Sequence, residues 1–520
     1  MNRLSHCQSR PLPSPPPRED AQGRGPEAKA CCSTLRSPPL RGFARGGGLG
    51  RGRRAVQAAA QIFIAAFFIF LCQQTFADVH VPPYERVQLS NGAVLLLMEQ
   101  HDVPLISFKA VLRGGALSDP AQQSGMSSLL AAMLEKGAGS RDAFAFANAV
   151  ASVGGTIATD ADTESLAVRG SFLARDQQLM IELLSDMLQR PRLQPDEFDA
   201  LRSRHIEFIR AAKDSDLESL AAVYGRAAFF RNHPYGRPVM GSEAELAGIT
   251  HANLQSHYRA QLGADRLILA VAGDFKTAQL KKALDRAFSG WRKAAAPLPR
   301  ATPPSAPEGR RVLLVDAPES VQSYFWMASL GVARNFAERA PLEVVNTLFG
   351  GRFTSMLNSE LRIRSGLSYG ARSGFERFTQ PGDWQMSSFT RTQTTVEAID
   401  LALAVLERLH EQELDPALLV SGRTYVQGQF PLAFETASQW ANALGDLEFY
   451  GLDRSYIEGY GPALAAVSVQ DAQRIVRERF PPSDALTLVV IGNASAIRDG
   501  LRKYGPVTEM KLSDPTFTAK

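Results

Sequence analysis

Beyond residue 77 this 520-residue chain has no cysteine; all four (Cys7, Cys31, Cys32, Cys72) precede it. Disulfide staples, thiolate zinc sites and cysteine nucleophiles are thereby excluded from the body. An excess of one charge is missing too. The formal net charge is +4, but residues 1–77 hold 11 Lys/Arg against 3 Asp/Glu, and the rest holds 46 against 50. The body is mildly acidic and carries no footprint of nucleic-acid binding. Gly154-Gly155 and Gly350-Gly351 lack the residues of a phosphate cradle, and no Gly-x-Ser-x-Gly elbow of a serine hydrolase occurs. With 45% apolar and 21% charged residues the composition is that of an ordinary globular protein, long enough for several folded units.

The front of the chain stands apart. Residues 1–54 contain eight Pro and eight Gly without apolar periodicity, a composition that buries no core. Arg51, Arg53 and Arg54 then precede an apolar run, Ala55 to Cys72, and an exit ending at Ala77. Residues 55–77 resemble a secretory signal, with cleavage expected after Ala77 and export to the periplasm. The tract before Arg51 is longer than such a signal needs, which points to a start codon further downstream. Left uncleaved, the run would tether the chain to the inner membrane.

Past residue 80, strand and helix patterns alternate. Ile106, Phe108, Ala110 and Leu112 alternate with Ser107, Lys109 and Val111, predicting a half-buried strand. Leu166, Val168 and Phe172 suggest another. Leu179, Met180, Leu183, Leu184, Met187 and Leu188 predict an amphipathic helix ending at Pro191. The Pro-rich stretch 294–311 reads as a linker. The two sides repeat each other: Val94-Leu95-Leu96-Leu97 returns as Val312-Leu313-Leu314-Val315, and Ala270-Val271-Ala272-Gly273-Asp274 as Val489-Val490-Ile491-Gly492-Asn493. The expected architecture is α+β, two tandem homologous domains at 78–293 and 312–510, each a mostly antiparallel sheet packed with long helices, and a tail at 511–520.

Several ordered motifs then become recognisable. The segment from Gly125 to Gly137 (GMSSLLAAMLEKG) resembles the zinc helix of the pitrilysin/insulinase family of peptidases. His233-Pro234-Tyr235-Gly236-Arg237-Pro238, Ile249-Thr250 and Tyr258 are similar to later parts of that family's first domain. Leu348 to Phe353, Leu361-Arg362 and Gly366 to Gly370 are similar to parts of its second. Active members carry His-x-x-Glu-His on the zinc helix. Residues i and i+4 share a helix face, so two imidazoles grip one ion, and the Glu at i+3 serves as general base. A distal Glu completes the ligand set. Here those positions hold Ser128, Ala131 and Ala132, and the distal position falls on Phe208, next to Glu207. None of the seven body histidines (His80, His101, His205, His233, His251, His257, His410) pairs with another at i,i+3 or i,i+4. The resemblance therefore implies a degenerate site: no catalytic residue, metal or cofactor in this chain.

Arg362 and Tyr369 match a pair that active members extend toward the scissile peptide. Read from the residues alone they are equally a surface-helix arginine and a packing tyrosine. The resemblance also implies that Thr156 to Thr159 is a sheet edge on which a peptide lies as an added strand; an ordinary core strand accounts for it as well. Loss of the metal ligands beside retention of the Arg/Tyr pair is what a divided enzyme would show. The expected function is thus an exported non-catalytic subunit of a heteromeric zinc metallopeptidase, with a peptide substrate and a sister chain bearing His-x-x-Glu-His and the zinc. The alternative is a structural or binding protein of the same fold with no proteolytic role.

Overall fold

The computed structural model describes residues 78–307 and 309–519; the expected extension (1–54) and signal segment (55–77) lie outside the described residues. Two six-stranded mixed sheets dominate. The first comprises β1 (Glu85–Gln88), β2 (Val94–Glu99), β3 (Leu105–Arg113), β4 (Thr156–Ala161), β5 (Ser165–Leu173) and β6 (Leu267–Gly273), in the order β1-β2-β6-β3-β5-β4. The second comprises β7 (Arg311–Asp316), β8 (Gln322–Leu330), β9 (Ala371–Phe375), β10 (Asp383–Arg391), β11 (Thr487–Gly492) and β12 (Val507–Lys511), in the order β12-β7-β11-β8-β10-β9.

The repeated sequence strings are the central parallel pairs of these sheets. Val94 stands opposite Ile268 in the first and Val312 opposite Leu488 in the second. Strands buried on both faces read as continuous apolar runs, which is why these segments are so legible. The edge is where the halves differ. An N-terminal strand, β1, closes the first sheet antiparallel to β2, whereas the C-terminal β12 closes the second parallel to β7.

Five helices position the site residues and join the halves: α1 (Met126–Leu134), α2 (Gln177–Gln189), α3 (Pro195–Ser215), α4 (Leu217–Phe230) and α5 (Ala437–Tyr450). Helix α2 carries the predicted apolar stripe and stops before Pro191. Helices α4 and α5 exchange sides. Helix α4, from the first half, packs on β8 and β11 of the second sheet; α5, from the second half, packs on β3 and β6 of the first. Each meets the opposite sheet closely at a glycine. A Cβ on Gly225 would come within 2.3 Å of the Trp326 ring, and one on Gly445 within 3.2 Å of the Lys109 side chain.

This exchange corrects the half-buried reading of β3. Ser107 and Lys109, on the face expected to meet water, are 4% and 7% exposed. Helix α5 lies over them, and Lys109 Nζ reaches Asp446 Oδ1 at 2.6 Å. The outer limits of the two halves also differ from the sequence reading. The stretch 294–311 begins fastened to the first half: Ala294 N–H donates to Asp265 Oδ1 at 2.7 Å and Ala296 N–H to the Ala260 carbonyl at 3.0 Å. Of the stretch expected as a tail, residues 511–519 are described and hold contacts with the body. Leu512 N–H donates to the Asp316 carbonyl at 3.0 Å, Lys213 Nζ donates to the Asp514 carbonyl at 2.6 Å, and Phe517 is buried edge-on to Tyr224 at 4.9 Å. An apolar residue so far past the last strand has no periodicity to announce it. Among the described residues no helix is long and apolar enough to cross a membrane.

Candidate functional site

Helix α1 begins with Gly125 at φ 93°, the left-handed region that glycine enters without strain. Asp119 fixes its first turn, accepting from Gly125 N–H at 3.0 Å, Ser127 N–H at 2.9 Å and Ser127 Oγ at 2.5 Å. Burial pushes the Asp119 carboxyl up to about 7, against the pull of those hydrogen bonds. The helix thus anchored presents Ser128 and Ala132 half-buried, while Ala131 is 2% exposed.

Helix α3 packs against α1. It brings His205 to Ser128, with Nε2 3.4 Å from Oγ, while His205 Nδ1–H donates to the Leu201 carbonyl at 2.9 Å. That bond leaves the Nε2 lone pair facing Ser128. Burial lowers the His205 pKa, so the ring is neutral. Among the described residues no carboxylate orients this imidazole and the Ser–His contact is long, so the pair lacks the constellation of an activated nucleophile. Phe208 lies one turn further along α3 and is 60% exposed; Glu207 pairs with Arg210 at 2.7 Å. The structure therefore juxtaposes Ser128 with His205, a residue that sequence spacing did not single out. The signal was present in its position one helical turn before Phe208.

Arg362 and Tyr369 do come together. Arg362 sits in a π-helical turn, Ser359–Arg364, and a second such turn spans Thr347–Gly351. Turns of this kind are rare and concentrate at functional sites. The intervening loop is pinned: Gly366 takes φ 65°, Ser368 N–H donates to the Leu361 carbonyl at 2.9 Å, and Ser388 Oγ donates to Ser368 Oγ at 2.9 Å. Tyr369 is thereby held outward, 73% exposed. The Arg362 guanidinium lies 4.1 Å from the Tyr369 ring centroid and 4.8 Å from that of Phe353. Cation–π contacts of this kind fix the guanidinium plane while leaving its N–H edges available. Among the described residues Arg362 has no carboxylate partner. It borders an open pocket of about 380 Å³ that also takes Arg352, Arg372 and, from α4, Glu218.

Strand β4 is the free edge of the first sheet, exposed or half-buried along its length. At its middle the outward Thr159 N–H already donates to Glu135 Oε1 at 2.7 Å.

Comparison with known proteins places this architecture. Residues 97–243 match the family model described as insulinase (peptidase family M16), and residues 248–424 the model described as peptidase M16 inactive domain. The chain belongs to the insulinase, or M16 peptidase, family, and on its own helix α1 it lacks that family's catalytic constellation. It is 28% identical over 372 residues to an uncharacterized zinc protease of Mycobacterium bovis, covering 70% of this chain and 83% of that one. It is 21% identical over 430 residues to the non-peptidase homolog YmxG of Helicobacter pylori, covering 82% and 98%. Among solved structures, the peptidase M16 inactive domain from Pseudomonas fluorescens superposes with a TM-score of 0.73 at 20% identity, over 79% of this chain and 98% of that one.

The family's zinc does not fit the residues present. A hydroxyl, two methyl groups and an outward phenyl ring occupy the four positions that the resemblance assigns to ligands and base, and the His205 imidazole beside Ser128 brings a single lone pair. Among the described residues no group of three or more His, Cys, Asp or Glu is arranged to hold a metal ion.

Proposed function

We propose that this chain is the exported, metal-less subunit of a two-chain zinc metallopeptidase, lending Arg362 and Tyr369 to a sister chain that carries His-x-x-Glu-His. The observation that carries the reading is the unpaired Arg362 guanidinium, stacked on Tyr369 and Phe353 at the rim of an open pocket. Stacking costs the guanidinium none of its donors, and a phenol beside it adds another. Together they offer hydrogen bonds to substrate carbonyls and to the oxyanion that develops as the scissile carbonyl is attacked. A pair retained only for packing would be buried, and Tyr369 is not.

The test is turnover of an unstructured peptide by the reconstituted pair, with assembly followed by size exclusion. Arg362→Ala combined with Tyr369→Phe should lower kcat/KM by about 10²–10³ while pairing persists. Arg362→Lys should also be impaired, since an ammonium lacks the planar fork. Full activity of the double variant would overturn the shared-site reading and favour a scaffold role. Export has its own check: N-terminal sequencing should find a mature chain beginning near Asp78, and retention of residues 55–77 would indicate a tethered form.

A further inference from the structure

The pocket beside Arg362 holds more positive charge than its own residues neutralise. Three guanidinium groups line it, those of Arg352, Arg362 and Arg372, against the single carboxylate of Glu218. Glu218 is already engaged, 3.2 Å from Arg372. Arg352 donates to Ser421 Oγ at 3.0 Å and forms no ion pair among the described residues. Nearby arginines outside the pocket behave differently: Arg364 and Arg408 both pair with Glu360, at 2.6 and 3.0 Å. Like charges gathered in one pocket repel, so the arrangement is best satisfied by an anion from outside. The walls are aromatic, with Phe353 59% exposed and Tyr425 43% exposed.

We infer that this pocket is a specificity site for acidic peptides: Arg352 receives the carboxylate of an Asp or Glu side chain, and the rings of Phe353 and Tyr425 flank an aromatic or large apolar neighbour. A guanidinium fork binds a carboxylate in two-point fashion, while a carboxamide of the same shape gains no charge-assisted bond. Arg362 keeps its own task at the peptide backbone. The inference rests on the proposed peptide-binding role of this pocket, yet it is measurable on this chain alone, without the sister subunit.

Fluorescence anisotropy with the labelled peptides Ala-Ala-Glu-Phe-Ala-Ala and Ala-Ala-Gln-Phe-Ala-Ala reads it directly on the mature chain. The Glu peptide should bind about tenfold tighter than its Gln counterpart, and the gap should narrow as salt is raised. Arg352→Gln should bring the ratio near one. Arg352→Lys, which keeps a charge, should retain part of it, and Arg175→Gln, an exposed arginine elsewhere, should leave it unchanged. Equal affinity for the two peptides, no saturable binding of the Glu peptide, or a preference that survives Arg352→Gln would overturn the inference. Failure of the shared active site would appear elsewhere, as turnover by the pair that ignores Arg362→Ala and Tyr369→Phe.

Discussion

Asp383 is fully buried where the halves meet, and Arg226, from α4, approaches it at 3.4 Å while also holding Glu376 at 2.9 Å. Burial pushes the Asp383 carboxyl up to about 6. The native state therefore keeps a proton that the unfolded chain has released above about pH 4. Stability from this group is fully present below that point and is lost as pH rises through about 6, at up to roughly 1.4 kcal/mol per pH unit within the window. Denaturant titrations of Asp383→Asn and the parent at pH 4 and 7 should show a smaller loss on going to neutral pH in the variant. An identical pH dependence would assign the slope to other groups. The positions that the family resemblance assigns to metal ligands on helix α1 are also a matter of single residues, since Ser128, Ala131 and Ala132 stand there. Asp119 holds the first turn of α1, and Ser128 faces His205 on α3.

Glycine decides the packing at the scale of elements. Gly225 on α4 and Gly445 on α5 occupy equivalent places in the repeat, each beneath the opposite half's sheet. The sequence repeat was legible in the apolar strands, but these glycines were not, because a glycine inside a helix announces nothing until the surface it meets is known. Gly225→Ala should place a methyl group against the Trp326 ring and cost about 1–3 kcal/mol, read as a lowered Tm. Gly445→Ala should cost less, because the Lys109 stem it meets is flexible. Equal, negligible effects would mean that α4 can slide away from β8. The environment of strand β3 is hidden from its sequence for the same reason. Its alternation of apolar and polar residues implied one wet face, and α5 covers that face with an ion pair to Lys109.

At the scale of the molecule, the helix exchange gives the two halves shared core clusters. One core cluster runs from the first sheet through Tyr224 to Trp326, Val489 and Phe517; another joins Leu96 and Ile268 to Trp440, Leu444 and Phe449. Residues 78–293 alone would expose the face that α5 covers, an apolar surface that water penalises. That fragment should be insoluble or molten by itself and recover near-ultraviolet circular dichroism when co-expressed with 294–520. The intact chain should unfold in a single calorimetric transition. Two separated transitions, or a well-packed isolated fragment, would show that the halves are autonomous.

The sequence by itself determined the duplication, the α+β class and the central strands. Each of these is written in local patterns: continuous apolar runs, helical spacing, or the identity of a residue at a fixed offset. It also carried Arg362 and Tyr369, seven residues apart with a glycine between them. Only the tertiary structure decided that their side chains stack, that Arg352 and Arg372 join them while Glu218 arrives from the other half, and that His205 stands against Ser128. Only it showed that Asp514 and Phe517, in the stretch expected as a tail, are packed against the first half. These contacts join residues tens to hundreds of positions apart. Their geometry is set by which surfaces α3, α4 and α5 bury, a balance of packing over the whole core that no local window contains.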